Sequence, residues 1–222
     1  MKPKPYKEFE PENNMVCEPE VFYGIPEIRL DPTIRYSYAD YLTWKDHKRR
    51  ELFDGFVRLM AGVNYFHNAV TVKLTIIFGQ FVQKKKGKCK IFHAPFDVRL
   101  PKNKETADDK IYTVVQPDIC VVCDPKKIDE RGIIGAPDLV VEVQSPSTGR
   151  LDHSKKFDLY EEAGVKEYWI VYPTAGLHVF LLQDNGKYDN GTIYDAVFMP
   201  DAKVPVHTIK GLEISLKELF DK

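Results

Sequence analysis

The sequence has no long apolar run and almost no net charge. A stretch of about 18 consecutive apolar residues, which a transmembrane helix needs, does not occur. The first residues, MKPKPYKEFEPENN, lack the apolar segment of a secretory signal. Lys and Arg number 32 against 33 Asp and Glu, so bulk charge gives no support to a nucleic-acid partner. These absences favour a cytoplasmic protein with no membrane partner.

Cysteine is also scarce. Four cysteines in 222 residues, at positions 17, 89, 120 and 123, do not form the disulfide framework of a secreted domain. Cys120 and Cys123 make a CxxC pattern, but residues three apart in a strand point to opposite faces. No second Cys or His pair at zinc spacing lies nearby. We therefore interpret the CxxC as ordinary core packing.

Apolar content is sufficient for one large domain. Hydrophobic residues make up 43% of the chain, which allows a substantial buried core. Residues 1–34 are rich in Pro, Glu and Asn, and we expect an extended arm there. Residues 35–222 are expected to form a single domain.

The pattern beyond the arm predicts an α/β fold. Ser37 can cap a first helix, and Asp54–Gly55 can turn a short hairpin. A second helix is predicted to bury five apolar residues at helical spacing, namely Phe66, Val70, Leu74, Ile77 and Phe81. Three strand candidates follow, KIFHAPFDVRL, TVVQPDICVVCD and DLVVEVQ, and then a helix that stops at Gly164. Short strands with Asn-Gly turns and a final short helix complete the chain.

Two acidic residues stand at unusual places in the apolar strands. In PDLVVEVQSPST, strict alternation puts Val140, Glu142 and Gln144 on one face of a strand. A carboxylate left alone in such a strand would normally take up a proton. Asp118, next to Pro117 at the entry of its strand, is the second such acid. If the two strands are neighbours, Asp118 and Glu142 converge at one end of the sheet.

A lysine on the following helix offers a counter-charge. Helical spacing places Asp152, Lys156 and Tyr160 on one mostly apolar face. An inward ammonium needs an anion, which Asp152 or the strand carboxylates can supply. Two converging carboxylates repel each other, and a divalent cation such as Mg²⁺ explains both. Such a site can generate a hydroxide and stabilise a phosphoryl oxyanion.

The segments QPD, PDLVVEVQSPST and DHSKKFDLYEEAGVKEYWIV together resemble the PD-(D/E)xK nuclease superfamily, and more closely the Uma-type restriction endonuclease family. The resemblance runs from about Tyr36 to about Leu182 and includes RELFDG and NYFHNAV in the expected order. It implies a restriction-endonuclease-like mixed β-sheet core flanked by α-helices, with additional antiparallel strands. It also implies a Mg²⁺-dependent endonuclease that acts on DNA, with Mn²⁺ as a substitute metal and no organic cofactor.

The resemblance implies roles for the residues already singled out. Asp118 and Glu142 match the two metal-binding acids of the family, and the carbonyl of Val143 would be a further metal ligand. Lys156 matches the lysine that this family carries on the helix. It would stabilise developing charge or orient the attacking water.

Other positions match the family less closely. Glu51, in RELFDG, matches an acid from the first helix that assists the metal site in related nucleases. His67 and Asp152 match residues at the edge of the site. Gln144 stands where the superfamily has its own lysine, and we count it among the catalytic candidates. Tyr172 replaces the Asp of the family's YWIVDP.

Each of these residues also has a purely structural interpretation. Asp118 and Glu142 could be strand-end acids paired with Lys or Arg. Asp152 could cap its helix, His67 could be a packing residue, and Glu51 could form a surface salt bridge beside KRR. The basic segments KRR at 48–50 and KKKGKCK at 84–90 could contact phosphates, although such runs are usually solvated.

Two functions therefore stay open. One is a metal-dependent endonuclease, for which a homodimer is expected because a duplex cut needs two active sites or two visits. The other is a catalytically inactive nuclease-like domain that serves as a DNA-binding or regulatory module. Gln144 and the near-neutral charge favour the second.

Overall fold

The computed structural model describes residues 28–144 and 150–221. Within these ranges the chain forms four α-helices and fourteen β-strands. The helices are α1 (Tyr38–Tyr41), α2 (Tyr65–Lys84), α3 (Arg150–Ala163) and α4 (Leu216–Phe220). The strands are β1 (Arg50–Phe53), β2 (Phe56–Leu59), β3 (Lys90–His93), β4 (Val98–Arg99), β5 (Val114–Val115), β6 (Ile119–Val122), β7 (Ile128–Asp129), β8 (Gly132–Ile134), β9 (Leu139–Val143), β10 (Glu167–Tyr172), β11 (Gly176–Leu181), β12 (Thr192–Asp195), β13 (Lys203–Val206) and β14 (Leu212–Ser215).

The strands form two six-stranded sheets and a hairpin. The central sheet has the order β12-β11-β10-β9-β6-β3, in which β9 and β10 are parallel and β6 and β9 are antiparallel. The second sheet has the order β2-β1-β5-β4-β8-β7, and β13 pairs with β14. Every helix in the described ranges is too short or too polar to cross a lipid bilayer.

Two of the expected strands are each divided between the sheets. KIFHAPFDVRL forms β3 in the central sheet and β4 in the second, and TVVQPDICVVCD forms β5 in the second and β6 in the central sheet. The breaks contain Pro95, which follows a cis peptide bond, and Pro117. Proline has no N–H to give to a strand ladder, so the chain changes sheets where proline interrupts the apolar run.

Local signals near the start of the domain are largely confirmed. Ser37 caps α1 through a capping box with Asp40, but the helix ends after Tyr41. The hairpin of β1 and β2 turns at Asp54 and Gly55, which have φ values of 51° and 87°. Asn or Asp and Gly are the residues that tolerate this left-handed region.

The buried face of α2 differs from the expected one. Five residues are buried, namely His67, Val70, Leu74, Phe78 and Val82. Phe66 was expected in the core but is 51% exposed, and Ile77 and Phe81 only flank the buried face. The true face is rotated by about one-sixth of a turn from the expected one. It therefore brings His67 into contact with the central sheet.

The central sheet is covered on both faces. Alternation along β9 turns Leu139, Val141 and Val143 toward the core beneath α2, as predicted. The opposite face of β9 carries Val140 and Glu142, and its core includes Tyr160 of α3. Position 164, the predicted helix stop, is glycine with a φ of 84°. This packing holds α3 directly over the acidic position of β9.

The cysteines are correctly interpreted only in part. Cys120 is a buried free thiol, as the packing interpretation predicts. That interpretation is wrong for Cys123, which forms a disulfide with Cys89. The β3–β6 register pairs Lys90 with Val122 and therefore brings Cys89 and Cys123 opposite each other. Spacing within the CxxC could not reveal this pair because it depends on which strands are neighbours.

Candidate active site

Glu142 and Lys156 form a buried ion pair between β9 and α3. Lys156 Nζ donates to Glu142 Oε1 at 2.9 Å, and the Tyr160 hydroxyl donates to the same oxygen at 2.7 Å. Glu142 is 7% exposed and Lys156 6% exposed. Lys156 and Tyr160 are four residues apart on α3 and hence on one face, which explains why both reach one carboxylate. The predicted inward direction of Lys156 is confirmed.

Glu51 is the second carboxylate bound to Lys156. Its Oε1 atom lies 3.1 Å from Lys156 Nζ and accepts the backbone N–H of Gln116 at 3.0 Å. Glu51 is 2% exposed, so the alternative of a surface salt bridge is wrong. Glu51 belongs to strand β1 rather than to a first helix, which corrects the origin that the resemblance implied. The second sheet thus contributes an acid to the site.

The charges in this pocket determine the protonation state of Lys156. Burial alone would lower the pKa of Lys156, but the charges of Glu142 and Glu51 outweigh burial and raise it. Lys156 is therefore a cation and not a general base. Burial also raises the pKa of the Tyr160 hydroxyl, as do the charges of Glu142 and Glu51, so Tyr160 acts as a neutral donor.

Asp118 stands at the start of β6, next to the end of β9. Its Oδ2 atom accepts the backbone N–H of Val143 at 2.7 Å and lies 3.1 Å from His67 Nε2. The Asp118 side chain is 15% exposed, whereas Glu142 and Glu51 are nearly covered. The Asp118 carboxylate thus contacts both Val143 and His67, two residues that the resemblance placed at the site, and their roles there stay predictions. Asp118 is therefore the most exposed of these three acids.

The Val143 carbonyl lies at the end of the β6–β9 pairing, opposite Pro117. Extending the β6–β9 register from the Ile119–Val141 pair places Pro117 opposite Val143. The N–H and C=O of one strand residue point to the same side, and the Val143 N–H points toward β6. Pro117 has no N–H and cannot donate to the Val143 carbonyl. At this position the β6–β9 ladder therefore gives the Val143 carbonyl no N–H donor.

The donor set and the charge balance fit a hard divalent cation. The charges of Glu51 and Asp118 both act on Glu142, whereas Lys156 supplies one ammonium, paired with Glu51 and Glu142, so negative charge is in excess. Burial raises the pKa of Glu142 to about 7; Lys156 opposes the rise, and the charges of Asp118 and Glu51 add to it. A divalent cation would offset this excess. Across the described part of the chain, no three His, Cys, Asp or Glu side chains are grouped to hold a metal, so the fit requires a backbone carbonyl and water.

Sequence reasoning missed the residues that support the acids. Arg49 donates from Nε and Nη2 to Gln116 Oε1, each at 3.1 Å, and Gln116 Nε2 donates to Asp97 Oδ1 at 2.9 Å. Gln116 is 6% exposed. Its place in QPD, two residues before Asp118, was the available signal. Tyr160 was placed on the inward face but not assigned to the site.

Two predicted site residues have less structural support. Gln144 directly follows β9, is half-buried, and donates its backbone N–H to the Val171 carbonyl. Asp152 lies in the first turn of α3, and its side chain is outside the described atoms, so its placement at the edge of the site stays a prediction.

Comparison with known proteins identifies the family. The model of the Uma2 family, described as "Putative restriction endonuclease", matches residues 38–216. The chain belongs to the Uma2 family. The Uma2 match spans every element from α1 to the start of α4 and includes all of the site residues described above. The predicted family is therefore confirmed.

Relatives and solved structures agree with this assignment. The chain is 29% identical to the uncharacterized protein slr1290 of Synechocystis over 160 residues, which cover 71% of this chain and 79% of that protein. It is similar to the crystal structure of a "putative nuclease belonging to DUF820" from Anabaena variabilis, with a TM-score of 0.64 and 21% identity over 83% of this chain and 97% of that one. This likeness confirms the expected restriction-endonuclease-like α/β fold.

Proposed function

We propose that this Uma2 protein is a Mg²⁺-dependent endodeoxyribonuclease, with Mn²⁺ as a substitute metal. The observation that supports it best is the buried cluster of Lys156, Glu142 and Glu51 next to Asp118. A buried ion pair is weak evidence for stability alone, whereas a carboxyl group whose pKa is raised by burial and by neighbouring charges, as that of Glu142 is, is typical of functional sites. The family description adds the expectation of a nuclease.

Asp118, Glu142 and the Val143 carbonyl would hold the metal. All are hard oxygen donors, and Mg²⁺ usually keeps several waters beside one or two carboxylates. When bound, the metal would lower the pKa of a coordinated water and neutralise charge on a phosphoryl oxygen. His67 and the Val143 N–H fix the Asp118 carboxylate. Tyr160 and Lys156 fix the Glu142 carboxylate through one of its oxygens.

Lys156 would act as the charge stabiliser of the reaction. Water attacks the phosphorus of a phosphodiester, one P–O ester bond breaks, and a proton from the water ends on the leaving oxygen or on solvent. Negative charge on the phosphoryl oxygens increases in the transition state. Because the pKa of Lys156 is raised, its ammonium remains available to this charge. Gln144, at the end of β9, is the second candidate for orienting the water.

Titration with metal tests the proposal. Calorimetry of the folded protein with Mg²⁺ and with Mn²⁺ should detect one site, and plasmid or single-stranded DNA should be cleaved only when one of these metals is present. Asp118→Asn should abolish both metal binding and DNA cleavage, because it removes a partly exposed carboxylate from the proposed metal ligands. Asp109→Asn, on an exposed 3-10 turn, is the matched control. No metal binding by a protein with an intact fold would reject the proposal.

Tyr160 should position Glu142 in this reaction. Tyr160→Phe keeps the ring in the core but removes the 2.7 Å hydrogen bond to Glu142. We expect cleavage to fall about 10- to 100-fold, as for other partners that orient metal ligands. Raising the metal concentration should restore part of the activity, because the lost contact weakens metal binding. Tyr168→Phe is the control, since the Tyr168 hydroxyl is buried with no partner in the described part of the chain.

A second candidate function is a nuclease-like module without turnover. Two observations favour this module. The described residues offer no third side-chain ligand for a metal, and Gln144 stands at the superfamily's lysine position. Such a module would bind metal or DNA but show no cleavage with Mn²⁺. Cleavage that disappears in both Glu142→Ala and Lys156→Ala would exclude it. A homodimer remains part of the endonuclease proposal, because both strands of a duplex need a site.

A further inference from the structure

A basic segment connects α2 to β3. Residues 84–90, KKKGKCK, contain five lysines, and all five are exposed. We call residues 84–90 the lysine segment. Because the whole chain has 32 Lys and Arg against 33 Asp and Glu, the segment is a local excess of positive charge.

The fold does not neutralise these charges. In the part of the chain that the structure describes, no carboxylate forms an ion pair with any of the five lysines. Other exposed lysines do have such partners, since Lys102, Lys110 and Lys187 lie 3.6, 3.6 and 2.7 Å from the carboxylate oxygens of nearby acids. The lysine segment therefore keeps its positive charge available to a binding partner.

Local structural effects explain only part of the segment. Lys84 and Lys85 lie at the end of α2, where the helix dipole favours a cation. Lys90 lies on β3, an edge strand of the central sheet, and a lysine there prevents unwanted strand pairing. Neither effect applies to Lys86 and Lys88, which lie between the helix and the strand. Their charges indicate an anionic partner.

The backbone of the lysine segment is anchored at two points. The Gly87 N–H donates to the Val82 carbonyl at 2.9 Å, and Cys89 is joined to Cys123 by the disulfide. A surface that is already ordered loses less conformational freedom when it binds a partner. The fold thus presents the lysines from a fixed position.

Both elements that the segment joins extend to the candidate active site. His67, in the first turn of α2, contacts Asp118, and Lys84 ends the same helix about 26 Å away at the rise of an α-helix. After β3, the Ala94 N–H donates to the Asp118 carbonyl at 3.2 Å. Lys90 precedes Ala94 by about 13 Å of extended strand. Along these elements, the lysines are therefore about 13–26 Å from Asp118.

The surface around the segment favours a phosphate backbone over an apolar partner. From residue 77 to residue 144, no large apolar side chain is exposed. Amphipathic membrane helices and the cores of protein interfaces both present apolar or aromatic side chains, and interface cores are poor in lysine. The backbone of a nucleic acid is bound by positive charge alone.

The spacing from the site suits a duplex better than a single strand. A DNA duplex rises about 3.4 Å per base pair and stays nearly straight over distances far longer than this domain. Phosphates about four to eight base pairs from a bond held at Asp118 would therefore lie about 13–26 Å away. A flexible single strand would have no fixed direction beyond the site.

We propose that the lysine segment binds the phosphate backbone of duplex DNA, about four to eight base pairs from the bond that is cleaved at Asp118. This inference rests on the proposed function and specifies its substrate as duplex DNA. Because the contacts are made to phosphates, they add affinity without sequence preference.

The salt dependence of binding tests this assignment. Fluorescence anisotropy with Ca²⁺ in place of Mg²⁺ would measure the affinity for a labelled duplex of about 24 base pairs without turnover. The triple variant Lys84→Gln/Lys85→Gln/Lys86→Gln should bind the duplex about 10- to 100-fold more weakly at low salt. Its plot of log K against log salt concentration should be shallower by about 2 to 3, since each lost phosphate contact lowers the slope by about 0.9.

A control with the same net charge separates the segment from bulk electrostatics. Lys102→Gln/Lys110→Gln/Lys187→Gln also removes three exposed ammonium groups, but from other parts of the surface. Its affinity and salt slope should stay close to those of the wild-type protein. In metal-dependent cleavage, the variant of the lysine segment should raise KM and leave kcat unchanged, because the lysines are remote from the reacting bond.

Several outcomes would overturn the assignment. Equal effects of the two triple variants, an unchanged salt slope, or tighter binding of an RNA duplex of the same sequence would each contradict it. Loss of binding to vesicles with about 30% phosphatidylserine, with DNA binding unchanged, would assign the segment to a membrane surface instead. Failure of the nuclease proposal is separate, because it would appear as segment-dependent DNA binding without metal-dependent cleavage. All five lysines are exposed, so their substitution should leave the fold intact, as urea unfolding would check.

Discussion

Replacing Lys156 by Met should reduce metal-dependent DNA cleavage about 100- to 1,000-fold, the effect seen when one preorganised electrostatic contact is removed from an active site. Met has a similar length but no charge, so the core beneath α3 stays filled. The measurement is the initial cleavage rate at saturating Mn²⁺. Lys155→Met is the matched control, because Lys155 is the neighbouring residue on α3 but is exposed. Cleavage that survives Lys156→Met would reject the assigned role.

The same substitution should separate stability from catalysis. Without the ammonium, Glu142 and Glu51 are left as buried carboxylates, and a broken buried ion pair typically costs about 3–5 kcal/mol. Urea unfolding in EDTA should show this loss. Adding Glu51→Gln should recover part of the stability by removing one unpaired charge, while cleavage stays low. Recovery of both together would mean that Lys156 acts only through the fold.

Metal affinity gives an independent readout. Removing one positive charge from a cluster that already has an excess of carboxylates should make Mg²⁺ bind more tightly in Lys156→Met. A simple loss of folding would weaken metal binding instead. Tight binding with slow cleavage would therefore identify Lys156 as a charge stabiliser, and weak binding would contradict that role.

Local periodicity predicted the part of the site that lies on adjacent elements. Alternation in β9 and the helical spacing of α3 correctly placed Glu142 opposite Lys156, because both depend on backbone geometry alone. Pro117 marked the end of a strand and hence the place of Asp118. The family resemblance pointed to Glu51 and His67 as site residues. It did not predict that Glu51 lies on a strand or that Glu51 is buried.

Other features depend on tertiary pairing, which the sequence does not display. Cys89 and Cys123 meet because β3 and β6 are neighbours, and Gln116 meets Arg49 because β1 and β5 are neighbours in the second sheet. The buried face of α2 was misplaced because Phe66 is apolar enough for the core but lies beside Tyr65 at the surface. In each case the residue type is compatible with two environments, and contacts with a distant part of the chain determine which environment the residue occupies.

Replacing Glu142 by Gln should strongly reduce cleavage but not destabilise the metal-free protein. Gln keeps the shape of the side chain and can still accept from Tyr160, yet it removes a charged metal ligand, so we expect a fall of about 100- to 1,000-fold in cleavage rate. Glu162→Gln, on the exposed face of α3, is the control. Calorimetry should show weaker Mg²⁺ binding only for Glu142→Gln. Equal metal binding in both variants would remove Glu142 from the ligand set.

The stability of Glu142→Gln should respond to pH in the direction that its carboxyl predicts. Burial raises the pKa of Glu142 from 4.5 to about 7, so the fold favours the protonated form. Between these values the native state binds more protons than the unfolded state, and stability falls as pH rises. In EDTA the wild-type protein should lose stability across this window relative to Glu142→Gln, whereas Mg²⁺ should reverse the order by binding the ionised carboxylate. If the wild-type protein and Glu142→Gln showed parallel pH profiles in urea unfolding, the negative charge of Glu142 would already be offset without metal. The argument for a divalent cation would then lose its electrostatic basis.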